Sequence, residues 1–284
     1  MMHTPLLDGQ ERFKTGMRDL TIAIAVFNAR VGRTRDNLDK TLRFTEQAAA
    51  EGADLICFPE MNITGYSNHP DILHHAESIP GPSTDRLLEM SRQRNVLILA
   101  GLAERDGQGR LFASHAVIAP GGLMGVYRKL YIAPPERNLY TAGAKIPVFE
   151  YNGVTFGLQL CYDAHFPELS TRMAGMGATV LFIPHASPRG KAVDKHQSWL
   201  RHLPARAYDN SLFVVACNQT GSNAKGLTFP GNAMVLGPAG RILEQWVSGE
   251  EALHVCRLDA EELLQVRGNR MHFFLPNRRP ELYT

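Results

Sequence analysis

The most constraining feature of this sequence is the alternation of apolar segments of strand length with helical patterns. An apolar segment at 20–27, a helical pattern at 35–51 and an apolar segment at 53–58 predict a β-α-β opening. Helices are also predicted at 84–94, 167–175 and 194–209, with strands at 96–103, 179–183 and 212–217. Because helical crossovers join parallel strands and cover sheet faces, this order predicts an α/β fold.

Other neighbouring segments are joined by tight turns and therefore predict antiparallel pairs. Segments at 111–119 and 123–128 flank Pro120-Gly121-Gly122, and segments at 146–151 and 154–160 flank Asn152-Gly153. Further strands are predicted at 233–236, 242–246 and 253–258. Parallel and antiparallel pairs with helices outside them favour two mixed β-sheets packed face to face in a four-layer α-β-β-α sandwich. Periodicity alone does not separate this fold from a single doubly wound sheet.

The chain has no Gly/Ser-rich linker and no internal repeat, which predicts one domain over 18–258. Residues 1–17 lack the continuous apolar run of a signal peptide and are predicted to be a flexible leader. Residues 259–284, with a short helix near 261–266 and an irregular tail, are predicted to extend the same domain to an oligomer interface. No apolar segment approaches the ~18 residues of a membrane span, so a soluble protein is expected.

The composition disfavours several classes of protein. The 284 residues are 44% hydrophobic and carry a formal net charge of +2, with Lys and Arg scattered along the chain. Scattered charge of this kind predicts no nucleic acid and no membrane as partner. The four cysteines, Cys57, Cys161, Cys217 and Cys256, form no CxxC pair, so neither a metal site nor a disulfide framework is predicted. A cytoplasmic protein that acts on small molecules is expected.

Three polar residues follow predicted strands, where their side chains can converge. Cys161 precedes a turn into a helix, where free backbone N–H groups can bind an oxyanion. Glu60 leaves an apolar strand, and such a setting can raise the pKa of a carboxylate and make it a base. Lys129 ends the segment at 123–128, where an ammonium can offset negative charge on a carbonyl oxygen.

Each of these three residues also has a purely structural interpretation. A buried cysteine is commonly a small core residue, an acid after proline often caps a turn, and a lysine beside an arginine is usually solvated. The combination favours the functional interpretation, because a thiol becomes a nucleophile only when a base or a lowered pKa supplies the thiolate.

The segments around these residues carry a family resemblance. They are Phe58-Pro59-Glu60, Tyr127-Arg128-Lys129, and Cys161-Tyr162-Asp163 followed by Phe166-Pro167-Glu168. In this order and approximate spacing they resemble the nitrilase superfamily, the carbon-nitrogen hydrolases with a Glu-Lys-Cys triad. The resemblance runs from about residue 20 to the C-terminus. It implies the α-β-β-α sandwich, a reaction that needs no metal or organic cofactor, and a homodimer or larger homo-oligomer.

The resemblance also assigns catalytic roles. Cys161 is expected to attack an amide carbon, Glu60 to exchange protons, and Lys129 with the N–H of Tyr162 to stabilise the oxyanion. A second glutamate beyond the lysine matches Glu136 and is expected to position Lys129 and the substrate. The alternative for Glu136 is an exposed loop acid beside Arg137.

Residues near the same strand ends are candidates for substrate binding. These are Tyr162, His165, Phe166, His185, Ser187 and Asn218. Packing or turn roles are the alternative for the last three. Other histidines, including His74, His75, His196 and His202, lack metal-ligand spacing and are predicted at the surface.

The residues after the nucleophile distinguish branches of the family. Nitrilases proper tend to show Cys-Trp-Glu, whereas Cys161-Tyr162-Asp163 resembles amidase branches and disfavours nitrile cleavage. The segment at 274–283 resembles the endings of carbamoyl-polyamine amidases, although those usually have Cys-Trp-Asp. We therefore predict an amidase that releases ammonia or an amine from a small amide. The alternatives are hydrolysis of N-carbamoyl amino acids or N-carbamoyl polyamines and, from another class, a catalytically idle binding partner.

Overall fold

The computed structural model describes residues 17–282, and two six-stranded mixed β-sheets form its centre. The first sheet has the order β14-β1-β2-β3-β4-β5. Its strands are β1 (Leu20–Val26), β2 (Leu55–Cys57), β3 (Leu97–Arg105), β4 (Leu111–Ala119), β5 (Gly122–Arg128) and β14 (Ala252–Leu258).

The second sheet has the order β13-β12-β9-β8-β7-β6. Its strands are β6 (Val148–Tyr151), β7 (Val154–Leu158), β8 (Val180–His185), β9 (Phe213–Asn218), β12 (Ala233–Leu236) and β13 (Ile242–Trp246). Both sheets follow one pattern, in which three parallel strands have one antiparallel neighbour on one side and an antiparallel hairpin on the other, so that the outer strand of the hairpin runs parallel to the central three.

The helices lie outside these sheets and complete the four layers. Helices α1 (Thr34–Ala50) and α2 (Pro82–Arg94) cover the first sheet, and α3 (Pro167–Gly175) and α5 (Leu203–Asn210) cover the second. Helix α4 (Ala192–Leu200) precedes α5, and α6 (Ala260–Gly268) follows β14. None of the helices in residues 17–282 is long and apolar enough to cross a membrane.

Alternate side chains of β1 pack into two different hydrophobic cores. Ile22 and Ile24 belong to the core between the two sheets, whereas Ala23 and Ala25 belong to the core beneath α1 and α2. Successive side chains of a strand point to opposite faces, so one strand supplies both cores. The α-β-β-α sandwich predicted from the sequence is therefore the observed fold.

Two details of the predicted secondary structure were wrong. The helix predicted at 194–209 is two helices, because the chain breaks at Arg201 and His202 and Pro204 opens a new first turn. A short hairpin was also missed, with β10 (Thr220–Ser222) paired to β11 (Thr228–Pro230). Its strands of three residues are too short to give a periodic signal.

The structure describes part of each segment that flanks the predicted domain. Residues 1–16 of the predicted leader lie outside the described residues, whereas Met17 is buried in the larger hydrophobic cluster, which includes residues from both sides of the second sheet. Beyond β14, Leu263, Phe273 and Leu275 are buried in the same cluster. The segment after residue 258 therefore packs onto the domain it follows.

Candidate active site

The carboxyl ends of strands from both sheets meet at one edge of the sandwich. Glu60 follows β2, Lys129 directly follows β5, and Cys161 lies three residues beyond β7. The backbone N–H of Ala186, just after β8, donates a hydrogen bond of 3.0 Å to Oε2 of Glu60 and so joins the two sheets. Strand ends that share an edge bring side chains together that are far apart in sequence.

A buried charge cluster occupies this edge. Nζ of Lys129 lies 2.9 Å from Oε1 of Glu60, and 3.1 and 2.9 Å from the two carboxylate oxygens of Glu136. Glu60, Lys129 and Glu136 are 0%, 1% and 3% exposed, respectively. Because a buried charge requires a partner, the lysine and its two carboxylates hold each other in place.

The position of Glu136 differs from that of an exposed loop acid. It ends the short 3₁₀ helix Pro134–Glu136, its Oε2 accepts from the N–H of Ala133, and its Oε1 accepts from the hydroxyl of Tyr66 at 2.6 Å. The carboxylate accepts hydrogen bonds from Lys129, and its bonds from Ala133 and Tyr66 hold it in that orientation. The structure therefore excludes the alternative interpretation of Glu136.

Burial sets the proton affinities at this site. Burial raises the pKa of Glu60 to about 7, with the charge of Glu136 adding to the shift and that of Lys129 opposing it. Burial and the charge of Glu60 raise the pKa of the Cys161 thiol to about 12, although part of the residue reaches solvent. Burial lowers the pKa of Lys129, but its carboxylate partners outweigh that effect and raise it well above the usual value. At neutral pH the thiol keeps its proton, so it needs a base to become a nucleophile.

Cys161 lies at a strained turn. Its φ of 45° is in the left-handed region, where residues other than glycine are rare, and it opens the 3₁₀ helix Cys161–His165 that precedes α3. Strain of this kind persists only where surrounding contacts fix the backbone. It turns the thiol out of the strand direction and into the cavity beside the charge cluster.

Asp163 provides those fixing contacts. Its Oδ2 accepts from the N–H of Leu160 at 2.9 Å and from the hydroxyl of Tyr127 at 2.7 Å, and its Oδ1 accepts from the N–H of Tyr131 at 2.8 Å. Burial raises the pKa of this carboxyl group to about 6, although all three hydrogen bonds oppose the shift. One buried carboxylate thus ties the turn of Cys161 to the backbone just beyond Lys129.

A cavity of about 230 Å³ opens onto the thiol. The predicted residues Glu136, Cys161, Tyr162, His165 and Ser187 line it. Other lining residues come from loops, namely Tyr66, Asn68, Ala133, Pro135, Ala186, Pro188, Arg189 and Leu227. A volume of this size suits a ligand with few non-hydrogen atoms.

Other predicted binding residues lie behind the cavity wall. His185 is buried with its ring 4.8 Å from that of Trp199, and its Nδ1 lies 2.7 Å from the carbonyl oxygen of Ile183. Phe166 stacks on Tyr131 at 3.7 Å between ring centroids. Both side chains support the turn and the wall by packing.

Asn218 and His202 also have defined places. The amide of Asn218 bonds both the N–H and the carbonyl of Ser187, at 2.9 and 3.1 Å, and so holds the loop after β8. His202, predicted at the surface, is half-buried, with its ring 4.4 Å from that of His165. That prediction was wrong for His202, because the break between α4 and α5 turns it inward, and for His115, which lies on β4 and is fully buried.

Several residues of the site escaped the sequence prediction. Tyr66 reaches Glu136 across 70 positions, and Gln219 donates to the backbone carbonyl of Glu60 across 159 positions. Lys195 donates to Oγ of Ser187. No spacing rule connects such pairs, although Tyr127 and Asp163, which meet at the base of the site, are part of the motifs on which the resemblance rests.

The described residues, 17–282, contain no group of three or more His, Cys, Asp or Glu side chains placed to hold a metal ion. What the cluster does offer is a thiol, a buried carboxylate with a pKa near 7 and a buried ammonium. These are the components of nucleophilic catalysis with a general base and a fixed positive charge for an oxyanion.

Comparison with known proteins agrees with this chemistry. The carbon-nitrogen hydrolase family matches residues 21–267. An (R)-stereoselective amidase from a Pseudomonas species is 33% identical over 262 residues, 92% of this chain and 92% of that protein. A nitrilase from Pyrococcus abyssi is 29% identical over 266 residues, 92% of this chain and 98% of that protein.

A solved structure shares both the fold and the reactive residue type. A mutant of the amidase from Nesterenkonia sp. AN1 has a TM-score of 0.78 and 26% identity, covering 93% of this chain and 95% of that one. Its active-site cysteine carries the acetamide moiety of fluoroacetamide as a covalent adduct. This chain therefore belongs to the carbon-nitrogen hydrolase family and is an enzyme of the amidase-like branch of the nitrilase superfamily.

Proposed function

We propose that this enzyme hydrolyses a small primary amide through a thioester on Cys161. The observation that carries the proposal is the buried cluster of Glu60, Lys129 and Glu136 beside a thiol that opens onto the cavity. The family match and the amidase names of its relatives support amide hydrolysis in general.

The first half of the proposed reaction forms the thioester. The Glu60 carboxylate accepts the Cys161 proton while the sulfur attacks the amide carbon, and the oxyanion that forms is stabilised by Nζ of Lys129 and the N–H of Tyr162. Collapse of this intermediate breaks the C–N bond, and the proton on Glu60 passes to the nitrogen. Ammonia leaves, and the acyl group stays on the sulfur.

The second half returns the enzyme to its starting state. A water molecule gives a proton to Glu60 and attacks the thioester carbon, and collapse breaks the C–S bond. The thiolate recovers its proton from Glu60, and the carboxylic acid departs. A pKa of about 7 suits a group that must accept and return a proton in each half.

The test is ammonia release from amides, N-carbamoyl compounds and nitriles by the wild type and by Cys161→Ala. Cys256→Ala is the matched control, since Cys256 is a part-buried thiol on β14, outside the site. We expect ammonia from amides with the wild type and the control, and none with Cys161→Ala. Turnover of N-carbamoyl compounds instead would favour the carbamoyl alternative, and a folded wild type inert towards every class would refute the proposal.

Labelling of the thiol tests the role of Glu60 without a substrate. Iodoacetamide should modify Cys161 faster than the other cysteines at pH 8, and Glu60→Gln should remove that advantage. Slow, equal labelling of all four cysteines in the wild type would argue against an activated nucleophile.

Assembly and location remain predictions. We propose a homo-oligomer in which the segment after residue 258 contributes to the interface, since Leu264, Met271 and Leu282 there are 51%, 79% and 60% exposed. Measurement of molecular mass by light scattering, for the full chain and for Met271→Lys, tests this. A cytoplasmic location also remains a prediction.

A further inference from the structure

The hydroxyl of Tyr66 joins the cavity to the buried charge cluster, and the proposed reaction does not use it. Tyr66 lines the cavity together with Cys161, and its hydroxyl donates a hydrogen bond of 2.6 Å to Oε1 of Glu136. The residue is 6% exposed. A buried hydroxyl that donates to a carboxylate at this distance forms a charge-assisted hydrogen bond, which is stronger than one between neutral groups.

Two carboxylates share one ammonium in this cluster. Nζ of Lys129 contacts both Glu60 and Glu136, so one negative charge is in excess when both carboxylates are ionised. A proton on either carboxylate removes that excess, and the two groups therefore titrate as a pair. The proposed reaction requires that the proton taken from Cys161 bind Glu60.

The hydrogen bonds to the two carboxylates are unequal. Glu60 accepts two, from Nζ of Lys129 and from the N–H of Ala186. Glu136 accepts four, two from Lys129, one from a backbone N–H and one from Tyr66. Hydrogen bonds donated to a carboxylate favour its ionised form. The negative charge is therefore held on Glu136, and the proton binds Glu60.

Tyr66 is the donor that distinguishes the two carboxylates. Each of them accepts from Lys129 and from one backbone N–H, at 3.0 Å for Glu60 and 3.2 Å for Glu136. The Tyr66 hydroxyl is the additional donor, and its bond is the shortest of the four to Glu136. Within residues 17–282, Lys129 is the one side chain that donates a hydrogen bond to Glu60.

The surroundings of Tyr66 keep its hydroxyl a donor. Burial and the charges of Glu136 and Glu60 raise the pKa of this hydroxyl, so it retains its proton. The Tyr66 ring makes an edge contact with that of Phe229, with 6.0 Å between centroids, and its backbone carbonyl accepts from Nδ2 of Asn223 at 2.9 Å. The ring and the backbone are both held, so the hydroxyl stays directed at Glu136.

Most other titratable groups around the two carboxylates keep one protonation state near neutral pH, because burial or neighbouring charges move each pKa far from 7. These groups are Lys129, Cys161, Tyr127, Tyr140, His115 and His185. Burial raises the pKa of Asp163 to about 6, but its hydrogen bonds are with Tyr127 and backbone N–H groups and are the same in every variant below. A change in proton uptake caused by Tyr66 therefore reports the two carboxylates.

We propose, building on the function above, that Tyr66 is a positioning residue that holds the negative charge of the cluster on Glu136 and so directs the proton of Cys161 to Glu60. It acts through the Glu136 carboxylate. Without the Tyr66 hydroxyl, Glu136 competes with Glu60 for the proton, and a larger fraction of Glu60 stays ionised at low pH. The acidic limb of any reaction that uses Glu60 as base should then broaden towards lower pH.

The test is the pH dependence of Cys161 alkylation by iodoacetamide, which needs no turnover. With a pKa of about 7 for Glu60, the wild-type rate at pH 6 should be about one tenth of the rate at pH 8.5. Tyr66→Phe keeps the aromatic ring and should raise this fraction about twofold or more. Tyr140→Phe is the matched control, since its buried hydroxyl donates to the backbone carbonyl of Ser67, and it should keep the wild-type fraction.

A double variant separates this role from a purely structural one. Tyr66→Phe in the background of Glu136→Gln should leave the profile of Glu136→Gln unchanged, because the carboxylate through which Tyr66 acts is absent. A shift in that background would mean that Tyr66 acts by packing or by excluding water. Such a shift overturns the proposal, and so does a fraction that stays at the wild-type value or falls in Tyr66→Phe alone.

Amide hydrolysis separates the failure of this proposal from the failure of the function on which it rests. An enzyme that hydrolyses no amide but shows the Tyr66-dependent alkylation profile retains the role of Tyr66 and loses the amidase proposal. An enzyme that hydrolyses amides with both pH profiles unmoved by Tyr66→Phe retains the amidase proposal and loses the role of Tyr66.

Discussion

Neutralising Glu136 should move the pH dependence of the enzyme to lower pH. In the proposed mechanism Glu60 is a base only when it has lost its proton, so kcat/KM should be constant above its pKa of about 7 and fall about tenfold for each pH unit below it. The charge of Glu136 is one of the causes that raise this pKa. Glu136→Gln removes that charge and keeps the shape of the side chain.

The size of the shift follows from the geometry at Lys129. Oε1 of Glu60 and Oε2 of Glu136 each lie 2.9 Å from its Nζ, so the two oxygens are at most about 6 Å apart. At an effective dielectric constant of about 20, two unit charges at that distance repel by about 3 kcal/mol, or about two pKa units. The acidic limb should therefore move from about pH 7 to roughly pH 5.

The assay is the pH dependence of kcat/KM for an amide, together with that of Cys161 alkylation by iodoacetamide. Alkylation requires no turnover, so its pH dependence reports the pKa shift of Glu60 even if the substitution also displaces Lys129 and slows hydrolysis. Glu89→Gln, at an exposed glutamate on α2, makes the same chemical change far from the cluster and should leave both profiles unmoved. An acidic limb that stays in place or moves to higher pH in Glu136→Gln would refute the electrostatic reasoning.

Three further predictions concern residues that support the site. Burial lowers the pKa of His115 to about 3, so the unfolded chain binds a proton as pH falls below 6.5 and the folded chain does not. The wild type should lose about 2 kcal/mol of unfolding free energy from pH 7 to pH 5 through this residue, a loss absent in His115→Gln. Tyr127→Phe removes a charge-assisted hydrogen bond to Asp163 and should destabilise the fold by about 2 kcal/mol in urea unfolding, with lower kcat. Gly101→Ala should reduce kcat, because a Cβ there would overlap the backbone of the loop after β2.

Each of these predictions has a control. Equal pH dependence of unfolding in the wild type and His115→Gln would contradict the first. For the second, Tyr151→Phe removes a half-buried hydroxyl on β6 and should have little effect on unfolding or kcat. For the third, Gly107→Ala adds a methyl group where no atom lies within 4 Å and should leave kcat unchanged.

The sequence predicted which residues lie just beyond the ends of strands. Glu60, Lys129 and Cys161 each follow an apolar segment, and the edge where parallel strands end collects such side chains whatever the loops do. The two-sheet architecture was predictable for a related reason, since turn residues at 120–122 and 152–153 mark the hairpins that make each sheet mixed.

The remaining parts of the site depend on tertiary contacts. Tyr66 and Lys195 contact Glu136 and Ser187 from a loop and a helix whose local sequence patterns do not predict those contacts. Backbone propensities likewise do not predict the strained φ of Cys161, because they disfavour cysteine in the left-handed region. Local rules fail at this turn because buried contacts, not intrinsic preference, determine its backbone.

The joining of the two sheets through Glu60 and Ala186 has a consequence during biosynthesis. The base and its ammonium partner come from the half of the chain made first, whereas the thiol comes from the half made later. The thiol therefore meets its base only when the second sheet packs on the first. Base-dependent reactivity of Cys161 is thus a property of the assembled sandwich, and a chain in which the two sheets have separated would lose it without losing any of the catalytic side chains.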